Sequence, residues 1–276
     1  MSTGCRNMFF FGLFLLAAWN PSAPAIASPQ DDVHPTPEEI LQQEGVQVNA
    51  SSLIERIVNS HERLHIRYWA AIALGRTRDS SGIPALINLL KDNTTELRAA
   101  AAISLGKMGD ASAIPYLKDA LTDPKEVVRG TSVQALGDIG GSSAALALAE
   151  KVMDRSEPSD NIRFNAAFRL GLMKERIAIP HLLKAIHDSS LEVRTGAAVA
   201  LGEMGDQGGV RVLVSTVTTQ DAPDWLVVKA IEGLRKLTNE DFGYPKPYFA
   251  RSTEEERANA IRKWSEWWQS NKHLYE

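Results

Sequence analysis

The chain has 276 residues, of which 44% are hydrophobic, and its 30 basic and 34 acidic residues give a formal net charge of −4. This balance excludes the basic footprint of a nucleic-acid-binding protein. No run of like charges indicates a membrane-surface helix or an acidic tail.

Residues 1–27 have the layout of a secretory signal peptide. Arg6 precedes an apolar run from Met8 to Trp19, and Ala25-Ile26-Ala27 offers an A-x-A cleavage site. Because the apolar run is short for a membrane span, we expect an exported protein, periplasmic or extracellular, with no integral span once the signal is removed. The only cysteine, Cys5, would leave with the signal, which excludes disulfides, cysteine nucleophiles and thiolate metal ligands in the mature chain.

Residues 28–61 predict a lead-in followed by an N-terminal helical cap. The first part, to Thr36, is rich in Pro, Ser and Asp, which is typical of a disordered segment. Two short helices are expected at Pro37–Gln43 and Ser51–Ser60, on either side of Gly45. Such a cap is needed because the first repeat of a stacked array would otherwise expose its core.

Residues 62–237 contain one segment written five times and a sixth, degraded copy. Each copy has an Arg anchor, a Leu-Gly pair seven residues later, and then a second apolar stretch that opens on Ile-Pro or its equivalent. The steps between anchors are 31, 31, 34 and 31 residues, and the anchors are Arg67, Arg98, Arg129, Arg163 and Arg194, with Val227 in the sixth copy. Self-similarity at a fixed period indicates stacked repeats.

Each copy predicts two helices. In the first helix, small residues let a neighbour approach closely, and the Gly of Leu-Gly is expected to end the helix in the left-handed conformation. Pro is tolerated at the first position of the second helix. The apolar spacing i, i+3, i+4, i+7 then continues the core stripe. An Asp closes most copies and is placed to cap the next helix or to meet an Arg anchor of the neighbouring repeat.

The repeated pattern resembles the short HEAT-like repeat of the bilin-lyase-type (PBS lyase) HEAT family. The resemblance rests on Arg-x-x-Ala-Ala-x-x-Leu-Gly, Ile-Pro-x-Leu, Asp and then Val-Arg, and it covers about Ile66 to Leu237. It implies an all-α fold, an α-α superhelix of the HEAT/armadillo type with five to six helical-hairpin repeats and terminal caps. The family includes bilin lyases, an iron-dependent hydroxylase and binding scaffolds, so the resemblance leaves the function open.

Two joints between repeats are longer than the others. Arg155–Asp160 adds three residues after the third copy, and Gln220–Asp224 lengthens the joint before the sixth. Either insertion is a recognition loop or a tolerated surface loop.

Residues 238–276 predict an aromatic C-terminal cap. A Phe-Gly-Tyr turn precedes a helix for which Ser252 or Thr253, with Glu255 or Glu256, offers a capping box. The helix carries three tryptophans on one side, and this ending resembles that of exported bacterial HEAT proteins. The tryptophans either cover the last repeat or form a platform for a sugar or peptide; they are Trp264, Trp267 and Trp268.

His61-Glu62-Arg63-Leu64-His65 matches H-E-x-x-H, which on one helix holds zinc and supplies a general base. The repeat register instead places His61 at the turn between repeats and His65 at the start of a helix. We therefore expect no metal site and no cofactor, and we keep a zinc-dependent hydrolase using His61, Glu62 and His65 as an alternative.

The resemblance carries a second enzymatic alternative. The related iron hydroxylases hold His-Glu pairs just before Ala-Leu-Gly in the first helix. The matching pairs in this chain contain no such ligands: Tyr68-Trp69, Ala99-Ala100, Gly130-Thr131, Phe164-Asn165 and Thr195-Gly196. An exported mature chain without cysteine also does not favour bilin lyase activity.

The remaining candidate is a surface for a protein or peptide partner. In HEAT-like solenoids the second helices line the concave face, where two rows of side chains outside the core stripe stack from repeat to repeat. We call six of these residues the second-helix ladder: Tyr116, His181, Asn88, Asp119, Glu150 and Lys184. The sequence thus favours a non-enzymatic scaffold, with Tyr116 and His181 as anchors; a merely solvated face is the alternative. It gives no indication of oligomeric state.

Overall fold

The computed structural model describes residues 35–243 and 253–275. The predicted signal peptide, residues 28–34 of the lead-in and residues 244–252 of the tail lie outside the described residues. Within the described parts the fold is all-α, with fourteen α-helices and no strand. None of these helices is both long and apolar enough to cross a membrane.

The helices follow the predicted repeat register. In chain order they are α1 Pro37–Gln43, α2 Ala50–Val58, α3 Leu64–Thr77, α4 Ile83–Leu89, α5 Thr95–Met108, α6 Ile114–Ala120, α7 Glu126–Ile139, α8 Gly141–Met153, α9 Asp160–Met173, α10 Ile179–Ala185, α11 Leu191–Glu203, α12 Val210–Thr218, α13 Asp224–Thr238 and α14 Glu254–Asn271. The odd-numbered helices α3 to α13 are the first helices of the repeats, and α4 to α12 are the second helices.

The first helices form one layer and the second helices another. Each first helix from α3 to α11 contacts the first helix of the next copy. Each second helix packs on the first helix of the following copy, as α4 does on α5 and α6 on α7. The packed hairpin therefore joins the second helix of one copy to the first helix of the next. The result is the predicted α-α superhelix.

Both ends of the stack have helices that fit the predicted caps. α1 contacts α3, and α2 contacts both α3 and α4. α1 begins with a capping box between Thr36 and Glu39, and α14 begins with one between Thr253 and Glu256. The capping box predicted for the last helix is thereby confirmed.

The predicted role of the Leu-Gly glycine was wrong. Gly75 and Gly106 lie inside α3 and α5, and the left-handed residues come three positions later, at Arg78 and Gly109. A Cβ on Gly75 would lie 2.6 Å from the Ser104 Cα. These glycines are therefore needed for close approach between neighbouring first helices, and the helices end one turn further on.

Proline is the second residue of three second helices, one position later than predicted, at Pro84, Pro115 and Pro180. A short 3-10 turn precedes each of these helices. Asp79 and Asp110 stand just before two of the turns, and each accepts the backbone N–H of the residue two positions on. Among the second helices, α8 is the exception to this turn, because it begins directly after Gly140; it runs for 13 residues.

Candidate functional site

Four of the five Arg anchors form ion pairs with the carboxylate that closes their own repeat. Arg98 Nε and Nη2 donate to the two carboxylate oxygens of Asp123, at 2.7 and 3.0 Å. Its Nη1 donates to the Asp92 carbonyl, at 2.9 Å. Each anchor thus spans two successive joints between repeats. The complete set of pairs is Arg67–Asp92, Arg98–Asp123, Arg129–Glu157 and Arg163–Asp188. We call this set the Arg–carboxylate series.

The same carboxylates also cap the next turn. Asp92 and Asp123 each accept the N–H of the residue two positions on, at 2.8 Å. Burial opposes the charge of Asp123, but hydrogen bonds from Arg98 and from the Lys125 N–H outweigh it, so the pKa of Asp123 lies below its usual value. The predicted partner of the closing Asp was wrong, because each Asp pairs with the Arg anchor of its own repeat and not of the neighbouring one. The predicted capping is also displaced, because the side chain caps the turn while Thr94 and Lys125 begin the next helices without a side-chain cap.

The fifth anchor departs from this arrangement. Arg194 Nη1 donates to the carbonyls of Asp188 and Ser189, at 2.7 and 2.8 Å, in the way that Nη1 of Arg98 and Arg129 does. The residue 25 positions on, where Asp123 stands relative to Arg98, is Thr219. Thr219 Oγ1 donates to the Ser215 carbonyl instead. Among the described residues no carboxylate lies within ion-pair distance of Arg194, and the register of the sequence already pointed to this gap.

The second-helix ladder is partly exposed and interrupted. Tyr116 is 39% exposed, and Asn88, Asp119, Glu150 and Lys184 are exposed. Ala85 and Ala147, which continue the Tyr116 row in other repeats, are buried. Glu150 pairs with Lys118 across one joint, at 2.7 Å. The ladder is therefore a set of separate polar and aromatic positions, and that the second helices face the concave side stays a prediction.

His181 differs from the rest of the ladder. Its side chain is half-buried, and Nδ1 is buried with no hydrogen-bond partner among the described residues. A buried polar atom without a partner is costly unless another molecule satisfies it.

The three C-terminal tryptophans are not equivalent. Trp264 is fully buried, and its ring meets Phe242 edge-on with centroids 4.7 Å apart. Trp267 and Trp268 are half-buried and lie beside Tyr275. Trp264 thus belongs to the core of the cap, whereas the other two present part of their rings to solvent.

The His61–His65 segment straddles a turn, as the repeat register predicted. His61 lies between α2 and α3, and His65 lies in the first turn of α3. The Glu62 carboxylate accepts hydrogen bonds from Arg56 Nη1 and the Arg63 N–H, while His65 Nε2 lies 3.5 Å from Glu44. Within the described ranges no group of three or more His, Cys, Asp or Glu side chains is arranged to hold a metal ion.

Two of the positions that match the hydroxylase His-Glu pairs carry aromatic side chains, one in the first copy and one in the fourth. Burial raises the pKa of Tyr68 to about 12. Phe164 lies over Gly196, where a Cβ would come within 2.8 Å of its ring, and meets Trp225 edge-on with centroids 5.2 Å apart. Side chains from the fourth and sixth copies therefore meet across the fifth on the first-helix face, a contact that periodicity alone did not predict.

Comparisons with known proteins agree with this architecture. The sequence profile of the HEAT repeats family matches residues 50–137, 83–160 and 147–235. A search of curated proteins gives no match.

One of three similar solved structures, with a TM-score above 0.5, shows the same kind of fold. An archaeal HEAT-like repeats protein from Thermococcus onnurineus NA1 is 16% identical with a TM-score of 0.53, over 81% of this chain and 98% of that chain. The complex of CpcE and CpcF of phycocyanin lyase from Nostoc sp. PCC7120 is 20% identical with a TM-score of 0.38, over 87% and 99%. Human deoxyhypusine hydroxylase is 18% identical with a TM-score of 0.38, over 83% and 96%.

The repeat register, the two helical layers and a profile match that spans residues 50–235 agree. This chain belongs to the HEAT-repeat family.

Proposed function

We propose that the protein is a non-enzymatic HEAT-repeat scaffold that binds a protein or peptide partner through the second-helix ladder, on the predicted concave face, outside the cytoplasm. The observation that carries this proposal is the exposed aromatic ring of Tyr116 on the second-helix layer, where exposed polar side chains of other repeats continue the ladder. Tyr is an effective anchor at interfaces because it combines a large apolar ring with a hydroxyl group.

The ladder chemistry suits an extended peptide rather than a small molecule. Asn88, Asp119 and Lys184 are exposed polar side chains, each in a different repeat. Successive repeats offer such groups at regular intervals, and solenoids use extended surfaces of this kind to bind partners.

Selection of peptides from a random displayed library on the mature chain, residues 28–276, tests the binding role. Selected peptides should bind the wild type and lose at least tenfold in affinity to the variant Tyr116→Ala/His181→Ala, since two anchors cost about 1.4 kcal/mol or more.

The matched control lies in the other layer. Phe168→Ala removes a half-buried aromatic ring from the first-helix face, beneath Lys229 Nζ at 6.0 Å from the ring centroid, and should leave peptide affinity unchanged. Loss of binding in Phe168→Ala but not in the ladder variant would transfer the partner to the first helices and refute the ladder assignment.

Export rests on the sequence of residues 1–27. Fusion of residues 1–60 to a reporter enzyme that is active only after export should give activity in bacterial cells, and replacement of Ala25 and Ala27 by large residues should block processing to the shorter chain. A fusion that stays inactive in the cytoplasm would overturn the proposed location.

A further inference from the structure

The fifth joint between repeats leaves one side of Arg194 without the partner that its counterparts have. In repeats two and three, Nη1 of the anchor is held by backbone carbonyls while Nε and Nη2 grip a carboxylate; the anchors are Arg98 and Arg129. Among the residues that the structure describes, Arg194 has the carbonyl contacts alone. Its guanidinium is therefore oriented by the fold, with the Nε–Nη2 edge directed as in repeats whose anchor binds a carboxylate.

The neighbouring acidic side chains do not fill this position. Asp188 is paired with Arg163, and Asp224 lies 2.8 Å from Arg257. Asp221 is exposed and makes no ion pair among the described residues. It is thus the one acidic side chain of the joint that competes for Arg194.

Thr219, at the register position where the other repeats have a carboxylate, is open to solvent. Thr219 is exposed and lines an open cleft between α12 and α14, together with Gln220, Ile261 and Arg262. A ligand can therefore reach the side chain of Thr219 without displacing a helix.

We infer that the Nε–Nη2 edge of Arg194 binds a carboxylate of an acidic peptide partner, which completes the Arg–carboxylate series at its fifth joint. This inference rests on the proposed peptide-binding function. The planar guanidinium matches a carboxylate with two parallel hydrogen bonds. Because Nη1 is already fixed to two carbonyls, little side-chain freedom is lost when the ligand binds. The carboxylate belongs either to an Asp or Glu side chain of the peptide or to its C-terminus.

The test supplies the missing carboxylate by a substitution in the chain itself. Thr219→Asp places a carboxylate at the register position of Asp123 and should raise the midpoint of thermal unfolding by about 2–4 °C. The same variant should weaken a ligand that uses Arg194. Thr219→Asn, which has nearly the same shape and no charge, and Gln220→Asp, which has the same charge one residue away, are the matched controls.

The probes are two unlabelled, N-terminally acetylated tetrapeptides, measured by isothermal titration calorimetry at low ionic strength. Tetraglutamate with a C-terminal amide offers only side-chain carboxylates, and tetraglutamine with a free C-terminus offers only the terminal one. Whichever peptide binds the wild type identifies the source, and its affinity should fall at least tenfold in Thr219→Asp but not in Thr219→Asn or Gln220→Asp. Charge-assisted hydrogen bonds are of a strength that gives such a loss.

Three results overturn the inference. The first is that neither peptide binds the wild type, and the second is that Thr219→Asp binds the peptide as tightly as the wild type does. The third is that Asp221→Asn lowers the unfolding midpoint while strengthening peptide binding, because Asp221 would then be the natural partner of Arg194. The Tyr116→Ala/His181→Ala variant keeps Arg194 intact, so failure of the second-helix ladder and failure at Arg194 are distinguishable.

Discussion

The Arg129 guanidinium donates two hydrogen bonds, of 2.9 and 2.8 Å, to the carboxylate of Glu157, which belongs to the insertion after the third repeat. Lys151 Nζ lies 2.8 Å from the same carboxylate, and Glu157 is 6% exposed. Asp154, at the register position of Asp123, binds Lys151 and caps the turn at Ser156 instead. A longer joint and a longer side chain thus preserve the pairing that an Asp provides elsewhere, and this insertion has a structural role.

Removal of this carboxylate should be costly. Glu157→Ala leaves Arg129 and Lys151 buried without their shared counter-ion, and we expect the free energy of unfolding to fall by about 3–5 kcal/mol. Urea denaturation monitored by circular dichroism measures the change. The control is Glu150→Ala, which breaks an exposed pair with Lys118 and should cost less than about 1 kcal/mol. Equal losses in the two variants would contradict a structural role for the insertion.

Acid should weaken the Arg–carboxylate series. In Asp92, Asp123, Glu157 and Asp188, burial opposes the charge but hydrogen bonds from N–H groups and Arg side chains outweigh it, so each pKa is lowered. Because the unfolded chain then takes up protons first, the stabilisation is complete above the unfolded-state pKa, about 4, and is lost as the pH falls through the lower folded-state value.

The urea midpoint should therefore drop between about pH 5 and pH 3. The drop should be shallower in Asp123→Asn, which has one such carboxylate fewer. A pH profile of Asp123→Asn that is parallel to that of the wild type would argue against the contribution of this pair.

The repeat register predicted most of the fold because each helix start is marked locally. Pro84 and Pro115 are the second residues of second helices, within one position of where the spacing placed them. The function of the Leu-Gly glycine was not readable in the same way. Gly106 and Gly109 lie three residues apart, and either can end a helix; only packing shows that Gly106 touches a neighbour and that Gly109 adopts the positive φ.

The candidate site was less predictable than the fold. The register identified which residues share the outer row of the second helices. It did not show how many positions of each second helix are buried, and Ala85 and Ala147, in the same row as Tyr116, are buried. At the third joint the sequence showed three extra residues. It did not show that Glu157, rather than Asp154, would reach Arg129, since that choice depends on the path of the loop.

Gly106→Ala tests the close approach of first helices. In an unhindered helix interior this change should stabilise the protein by up to about 1 kcal/mol. Here the new Cβ would lie 2.7 Å from the Ala135 Cα, a backbone atom that cannot rotate away. We therefore expect a destabilisation of about 1–3 kcal/mol, measured by urea denaturation. Lys107→Ala, at an exposed position of the same helix, should stay within about 0.5 kcal/mol of the wild type. A gain in stability for Gly106→Ala would show that the helices separate easily.

Trp264 and Trp268 allow the two interpretations of the C-terminal helix to be compared. Trp264 is fully buried and packs edge-on against Phe242 and Trp267, so Trp264→Ala should lower the free energy of unfolding by about 3–5 kcal/mol. Trp268 is half-buried and lies 6.2 Å from Tyr275 between ring centroids, and Trp268→Ala should cost about 1 kcal/mol. Urea denaturation of both variants measures the difference. A large loss confined to Trp264 supports the cap interpretation, because a ring that anchors the last repeat must be removed from water. Small, equal losses would mean that neither ring anchors the helix, and would favour a platform that binds a ligand.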